Sequence, residues 1–293
     1  MCTMLRYKHM IGRNFDYEKS YDENIIIIPK NTYHNKYAII GICAGGVDYP
    51  LLYDGMNEEG LVCGGLAFTN NAKYNEYKYD KGNVPAYDFT LQILSHNKNI
   101  KEVRDWLVDV NIWDKQFSDE LSNTDLHWFI SDGEESIIVE QTTQGLQIYE
   151  GDVLTNNPSY NEQIWHYEKD EFIGKVHPFS SYFKKSEWYS RGRETDGLCG
   201  GYSSYERFER VSYLLDKLEQ SNTPFNEVSE TFHLLTSVEQ IYGITQIQNK
   251  YEYTIYSVVY DVENKRMWIK TYDKLCPTNY MITNELERIS IGG

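Results

Sequence analysis

The strongest constraint on the fold is a recurring strand pattern, in which short runs rich in β-branched and aromatic residues are bounded by turn residues. The runs are Ile25–Ile28, Tyr37–Cys43, Leu61–Phe68, His127–Ile130, Ser136–Gln141, Tyr253–Tyr260 and Arg266–Tyr272. Asp132-Gly133 separates two of them, Glu263-Asn264-Lys265 joins the last two, and Asn57–Gly60 precedes another. Such turns make neighbouring runs into hairpins, so the sheets are expected to be mainly antiparallel. Helices are expected over Pro85–His96, where Pro suits a first turn, and over Ile100–Val108, where Ile100, Val103 and Leu107 share a face. A third is expected over Tyr205–Leu218, because Ser203 and Glu206 have capping-box spacing and Phe208, Val211, Leu214, Leu215 and Leu218 form an apolar stripe. The fourth begins near Pro224 and takes in Phe232, Leu235 and Val238. Strands, a helical pair, strands, a second helical pair and strands predict an α+β protein with two sheets between two helical layers.

No internal repeat, low-complexity tract or linker interrupts the chain, and a single domain over residues 1–293 is expected. The formal charge of −16, from 44 acidic and 28 basic residues, argues against a nucleic-acid partner, which would need clustered Lys and Arg to neutralise phosphates. No apolar run approaches the length of about 18 residues that spans a bilayer, and the first residues lack the pattern of a secretory signal. No membrane association and a cytoplasmic location are therefore the expectations. Cys2, Cys43, Cys63, Cys199 and Cys276 are scattered and form no Cys-x-x-Cys pair, and the histidines form no His-Glu-x-x-His pattern. No metal or cofactor is expected. His127, in an apolar stretch beside Trp128, reads as a satisfied core or strand histidine.

Cys2 is the one residue whose position suggests chemistry. Removal of Met1 would give it a free α-amine beside its thiol, two groups that ordinarily titrate near ~8 and ~8.5, so proton transfer between them costs little. Read alone, Cys2 is more simply a small residue after the start codon, since a single Cys is weak evidence for catalysis.

Several further segments decide between those readings. Met1-Cys2-Thr3, Gly12-Arg13-Asn14-Phe15-Asp16, Ile25–Pro29, Asp54–Leu61, Leu126–Asp132, Leu154-Thr155-Asn156-Asn157-Pro158 and Glu206-Arg207-Phe208 occur in this order. With them the chain resembles the choloylglycine hydrolase family, which includes bile salt hydrolases and penicillin V acylases. The resemblance spans nearly the whole chain. It implies the four-layer αββα sandwich of N-terminal nucleophile hydrolases, a homotetramer, and hydrolysis of a small-molecule N-acyl amide without a cofactor. By resemblance Cys2 is the nucleophile and proton shuttle, Arg13 lies near its sulfur, Asp16 orients the α-amine, Asn156 serves the oxyanion site and Arg207 is a late active-site arginine. The irregular segment from Tyr167 to Gly201 corresponds to a loop that bacterial relatives use in subunit assembly.

The chain departs from the family pattern at three places. After Gly65-Leu66, where bile salt hydrolases usually carry Asn and penicillin V acylases Tyr, it has Ala67, whose side chain donates no hydrogen bond. That leaves a backbone N–H, Asn70 or Asn71 to take the donor's place. The stretch from Cys2 to Arg13 is short and implies a tight first hairpin, and Cys199–Tyr205 replaces the usual Leu-Pro-Gly-Asp. The expected substrate is a glycine- or taurine-conjugated bile salt. The alternatives are penicillin V, an N-acyl homoserine lactone, or a catalytically silent homologue that only binds.

Overall fold

The computed structural model describes residues 1–119, 123–169, 195 and 197–292. In chain order its first strands are β1 (Cys2–Tyr7), β2 (Met10–Tyr17), β3 (Asn24–Ile28), β4 (Ile39–Cys43), β5 (Leu52–Asn57), β6 (Val62–Ala67) and β7 (Gly82–Pro85). Helices α1 (Phe89–His96) and α2 (Ile100–Leu107) follow, then β8 (Val110–Trp113), β9 (Leu126–Ser131), β10 (Ser136–Thr142), β11 (Gly145–Glu150) and β12 (Val153–Leu154). After α3 (Tyr160–Lys169), α4 (Ser204–Gln220) and α5 (Glu227–Thr236) come β13 (Thr245–Ile247), β14 (Lys250–Asp261), β15 (Arg266–Thr271), β16 (Thr278–Met281) and β17 (Glu287–Ser290).

All but β7 and β8, which form a separate parallel pair, fall into the expected two antiparallel sheets. The first runs β12-β1-β2-β14-β15-β16 with β13 on β14, and the second runs β11-β10-β9-β6-β5-β4-β3-β17. Apolar side chains from facing strands, such as Ile11, Ile40, Met56, Phe129 and Val258, bury each other in one core that continues beneath Phe208, Val211, Phe232 and Leu235 of α4 and α5. A second core joins the outer face of the second sheet, through Ile28, Cys63 and Ile130, to Phe89, Leu94, Val103 and Leu107 of α1 and α2. The order of layers is thus helices, sheet, sheet, helices: the αββα sandwich. Gly12 of β2 lets α5 lie close, since a Cβ there would stand 2.8 Å from Thr231 Cγ2.

The helix ends follow the local chemistry of the sequence. Ser203 and Glu206 make the reciprocal capping box at the start of α4, and Asn99 Oδ1 accepts from Glu102 N at 2.9 Å at the start of α2. Two expected helix bounds shift. Pro85 ends β7 with extended backbone, paired to Trp113, so α1 starts only at Phe89 after a 3₁₀ turn over Ala86–Asp88. Asn226 Oδ1 caps Val228 N at 2.9 Å, so α5 begins at Glu227 and stops before Val238, which is buried beyond its end. Most of the segment Tyr167–Gly201, and with it the expected assembly loop, lies outside the described residues.

Candidate active site

The tight first hairpin sets the site. Its register places Cys2 opposite Phe15 and Met4 opposite Arg13, so all four share the face turned towards the second sheet. Thr3, opposite Asn14, and Asp16 alternate to the face covered by α4 and α5. A slip of one residue would turn Arg13 away from the sulfur.

Arg13 Nη2 lies 3.7 Å from Cys2 Sγ and donates to Gly65 O at 2.7 Å, while Nη1 donates to Tyr53 O at 2.5 Å and Asp54 Oδ2 at 2.8 Å. Close approach is possible because β6 has Gly64 here: a Cβ would meet Met4 Sδ at 2.5 Å and Arg13 Nη1 at 3.2 Å. Asp54 is fully buried and also accepts from Tyr256 Oη at 2.5 Å and from Tyr260 Oη. Burial, reinforced by the Asp54 charge, holds both phenols well above their ordinary range, so they remain donors. Burial also works against the Arg13 charge, but Tyr256, Asp54 and the Cys2 sulfur outweigh it and hold the guanidinium above its usual value. A cation sealed from water is thus fixed against the sulfur from behind.

The backbone of Cys2 is gripped from the other side. Its N–H donates to Asn156 Oδ1 at 2.7 Å, and its carbonyl accepts from Arg207 Nη1 at 2.7 Å. Arg207 further donates to Thr3 Oγ1 at 2.6 Å and to Asn156 Oδ1 at 2.8 Å, and its Nη1 stands 3.9 Å from Asp16 Oδ2. Asp16 Oδ1 accepts from Thr254 Oγ1 at 2.6 Å, whereas its buried Oδ2 has no hydrogen-bond partner among the described residues. Burial pushes the Asp16 carboxyl above the usual carboxylate range, against the pull of Arg207 and the chain's amino terminus. Arg207 is lowered by burial, with Asp16 and Cys2 opposing. Two buried arginines therefore face two buried aspartates around one thiol, which offsets the cost of sealing four charges from solvent.

With Met1 in place the free ammonium belongs to that residue. It donates to Asp16 O at 2.7 Å and contacts the buried carboxylate of Glu252, and burial pushes it below the ordinary amine value. Cys2 N is then an amide.

The structure brings Cys2, Arg13, Asp16, Asn156 and Arg207 into one contact network although they span 206 positions of the sequence. Asn156 Nδ2 donates to Ala67 O at 2.9 Å, so the Ala67 position meets the site through its backbone carbonyl. Asn70 and Asn71 are exposed; the Asn70 backbone N–H donates to Asp125 Oδ2 and the Asn71 side-chain amide to Thr69 O. Sequence reasoning did not single out Asp54, Thr3, Thr254, Tyr256 or Tyr260. Asp54 opens the Asp54–Leu61 segment, and Tyr256 and Tyr260, four apart in a strand, necessarily share a face, which is the signal that could have found them. Among the described residues, no group of three or more His, Cys, Asp or Glu is arranged to hold a metal ion.

Comparison with known proteins bears on the family and the fold. Residues 2–286 match the profile of linear amide C-N hydrolases, choloylglycine hydrolase family. The chain is 37% identical over 291 residues to a bile salt hydrolase/transferase of Lactiplantibacillus plantarum, covering 93% of this chain and 90% of the relative. It is 33% identical to a bile salt hydrolase/transferase of Clostridium perfringens, with the same coverage. The crystal structure of a mutant conjugated bile acid hydrolase from Clostridium perfringens superposes with a TM-score of 0.90 at 30% identity, covering 100% of this chain and 97% of the other. A penicillin V acylase from Agrobacterium tumefaciens shares the fold, with a TM-score of 0.71 at 19% identity over 99% of this chain and 86% of its own. The chain belongs to the choloylglycine hydrolase family of linear amide C-N hydrolases.

Proposed function

We propose that this protein, once Met1 is removed, hydrolyses the amide of glycine- or taurine-conjugated bile salts with Cys2 as nucleophile. The observation that carries the reading is the grip on Cys2: Arg13 against its sulfur, Asn156 on its nitrogen and Arg207 on its carbonyl. Removal of Met1 turns the Cys2 nitrogen into an amine, and Asp16, whose buried Oδ2 has no hydrogen-bond partner among the described residues, orients that amine. The thiolate attacks the amide carbonyl carbon, the amine passes a proton to the leaving nitrogen, and water then cleaves the thioester to release the acid and restore the thiol. Asn156 commits one amide hydrogen to Ala67 O and has a second N–H for the oxyanion.

The relatives named as bile salt hydrolases support the substrate. A second reading, penicillin V, is favoured by one feature near Cys2. Phe15 stacks on Tyr53 at 4.8 Å and on Tyr256 at 5.1 Å, an aromatic cluster whose half-buried member, Tyr53, suits a flat aromatic acyl group. Assembly into a homotetramer and action in the cytoplasm belong to the same proposal. Exposed Ile241, Tyr242, Ile244 and Leu275 support contacts between copies, and among the described residues no helix is long and apolar enough to cross a membrane.

The deciding experiment incubates protein of known amino-terminal mass with glycocholate, taurocholate, penicillin V and acyl homoserine lactones and follows amine release. Release of glycine or taurine ahead of the other amines is expected. Faster release from penicillin V would reassign the substrate, and silence from protein with a free Cys2 amine would overturn the enzyme reading.

A further inference from the structure

Behind the Asn156 segment lies a polar pair that the proposed chemistry does not use. His127 of β9 and Glu140 of β10 are both fully buried, and His127 Nδ1 stands 3.0 Å from Glu140 Oε1. The ring lies flat on Phe68, with centroids 4.3 Å apart and planes 8° from parallel, and its Nε2 stands 2.9 Å from Thr155 O. A carbonyl oxygen only accepts, so Nε2 carries a hydrogen. Glu140 Oε1 already accepts from Tyr160 N at 2.9 Å, and contact with Nδ1 then requires one proton between ring and carboxyl. An imidazolium facing a carboxylate and a neutral ring facing a carboxylic acid both meet that need. In either state, Nε2–H is fixed on Thr155 O.

We propose that His127 and Glu140 are a positioning pair, which shares one buried proton and thereby locks the Thr155–Asn156 backbone so that the Asn156 amide meets Cys2. The proposal rests on the amide-hydrolase reading of the site above. The segment has no sheet ladder of its own beyond Leu154, and its other ties run through side chains: Gln163 Nε2 donates to Asn156 O at 2.6 Å and to Pro158 O at 2.7 Å, Ser204 Oγ accepts from Asn156 N at 2.8 Å, Thr155 Oγ1 lies 2.9 Å from Gln163 Oε1 and 3.0 Å from Ser204 O, and Asn157 Nδ2 donates to Thr69 O at 2.8 Å. Thr155 O is held by His127. A displaced Thr155 would carry Asn156 away from the Cys2 nitrogen, and misplacement by about 1 Å commonly costs about a hundredfold in rate.

Glu140→Gln tests the pair because it is nearly isosteric yet cannot serve it. If the Gln oxygen keeps Tyr160 N–H, a neutral ring can donate Nδ1–H to it only with Nε2 bare against Thr155 O, and an imidazolium would be buried there without the carboxylate that balances it. If its amide group faces Nδ1, Tyr160 N–H loses its acceptor. The expected result is a kcat at least about tenfold lower per titratable Cys2, with KM and the rate of Cys2 alkylation by iodoacetamide within about twofold of wild type. An unchanged kcat would overturn the proposal. So would a parallel fall in kcat and alkylation, which marks general loosening of the core. Should Glu140→Gln fail to fold, ¹⁵N-histidine NMR of the wild type decides: a protonated Nε2 on the ring that contacts Phe68 supports the pair, and a bare Nε2 overturns it. A wild type silent towards every amide would instead sink the functional reading, and the imidazole signal would still support or overturn the shared proton.

Discussion

Cys2 and Cys63 are both strand cysteines sealed from solvent, at 4% and 0% exposure, yet their surroundings are opposite. Cys63 faces the apolar layer beneath α1 and α2, and burial pushes its thiol up to about 12. Cys2 lies at the end of the first hairpin with a guanidinium against its sulfur and a second guanidinium on its carbonyl. Burial alone makes a thiol inert, because the thiolate loses its hydration. A buried nucleophile needs a cation brought to it, and the cation in turn needs counter-charges to remain charged. Asp54 with its two tyrosine donors does this for Arg13, and Asp16 does it for Arg207.

Substitution of the two cysteines should break the comparison most sharply. Cys2→Ser is expected to lower amide turnover at least about a thousandfold while leaving the thermal melt and circular dichroism near wild type, because a hydroxyl is far less ionised than a thiol. Turnover at the wild-type rate in a correctly processed Cys2→Ser protein would refute thiolate catalysis. Next in size, Asn156→Ala should reduce kcat about a hundredfold, on the order of 3 kcal/mol, with a smaller change in KM. Equal effects on kcat and KM would remove Asn156 from the oxyanion role.

The pH profile sharpens the charged side of the comparison. The Asp16 carboxyl is raised by burial, so it loses its charge at a higher pH than an exposed aspartate as the solution is acidified. If ionised Asp16 holds the Cys2 amine, kcat/KM falls on the acid side above the usual carboxylate range. The sign for stability is opposite. A carboxyl raised on folding binds its proton more tightly in the native state, so its contribution to stability is present at low pH and is lost as pH rises from the unfolded to the folded value. A pH–rate profile flat down to the ordinary aspartate range would contradict the assignment. The smallest effect on catalysis belongs to Cys63→Ser, which places an extra polar group in the apolar layer. Stability is expected to fall by about 1–3 kcal/mol with kcat per folded molecule unchanged, as read by urea unfolding beside active-site titration.

The elements read best from sequence were those whose cause is local. Runs rich in β-branched and aromatic residues became β3, β4, β6, β9, β10, β14 and β15 with ends moved by a few residues at most, and the Ser203–Glu206 box marked the start of α4. The strands β5, β7, β8, β11, β12, β13, β16 and β17 and the helix α3 were not singled out, because their sequences carry weak periodicity and their strands depend on neighbours for pairing. Within the site, the segments around Cys2, Arg13, Asp16, Asn156 and Arg207 were legible through resemblance. The cluster around Asp54 was not, since Tyr256 and Tyr260 stand 202 and 206 positions away and nothing in either local pattern points to the other. His127 was read as a satisfied core histidine, and it is buried and bonded. Its tie to Thr155 is what the sequence could not reveal.

By itself the sequence determined where the strongly patterned strands and helices would lie, that neighbouring strands would pair mainly antiparallel, and that one cysteine stood where loss of Met1 would give it an amine. Those properties depend on residues a few positions apart. Tertiary structure alone decided what surrounds that cysteine. The hairpin register turned Arg13 towards the sulfur, Gly64 left room for its approach, and strands far along the chain supplied the carboxylate and phenols that keep it charged. Burial and charge act through space, over a few ångströms, and it is the packing of the two sheets that brings these distant residues together.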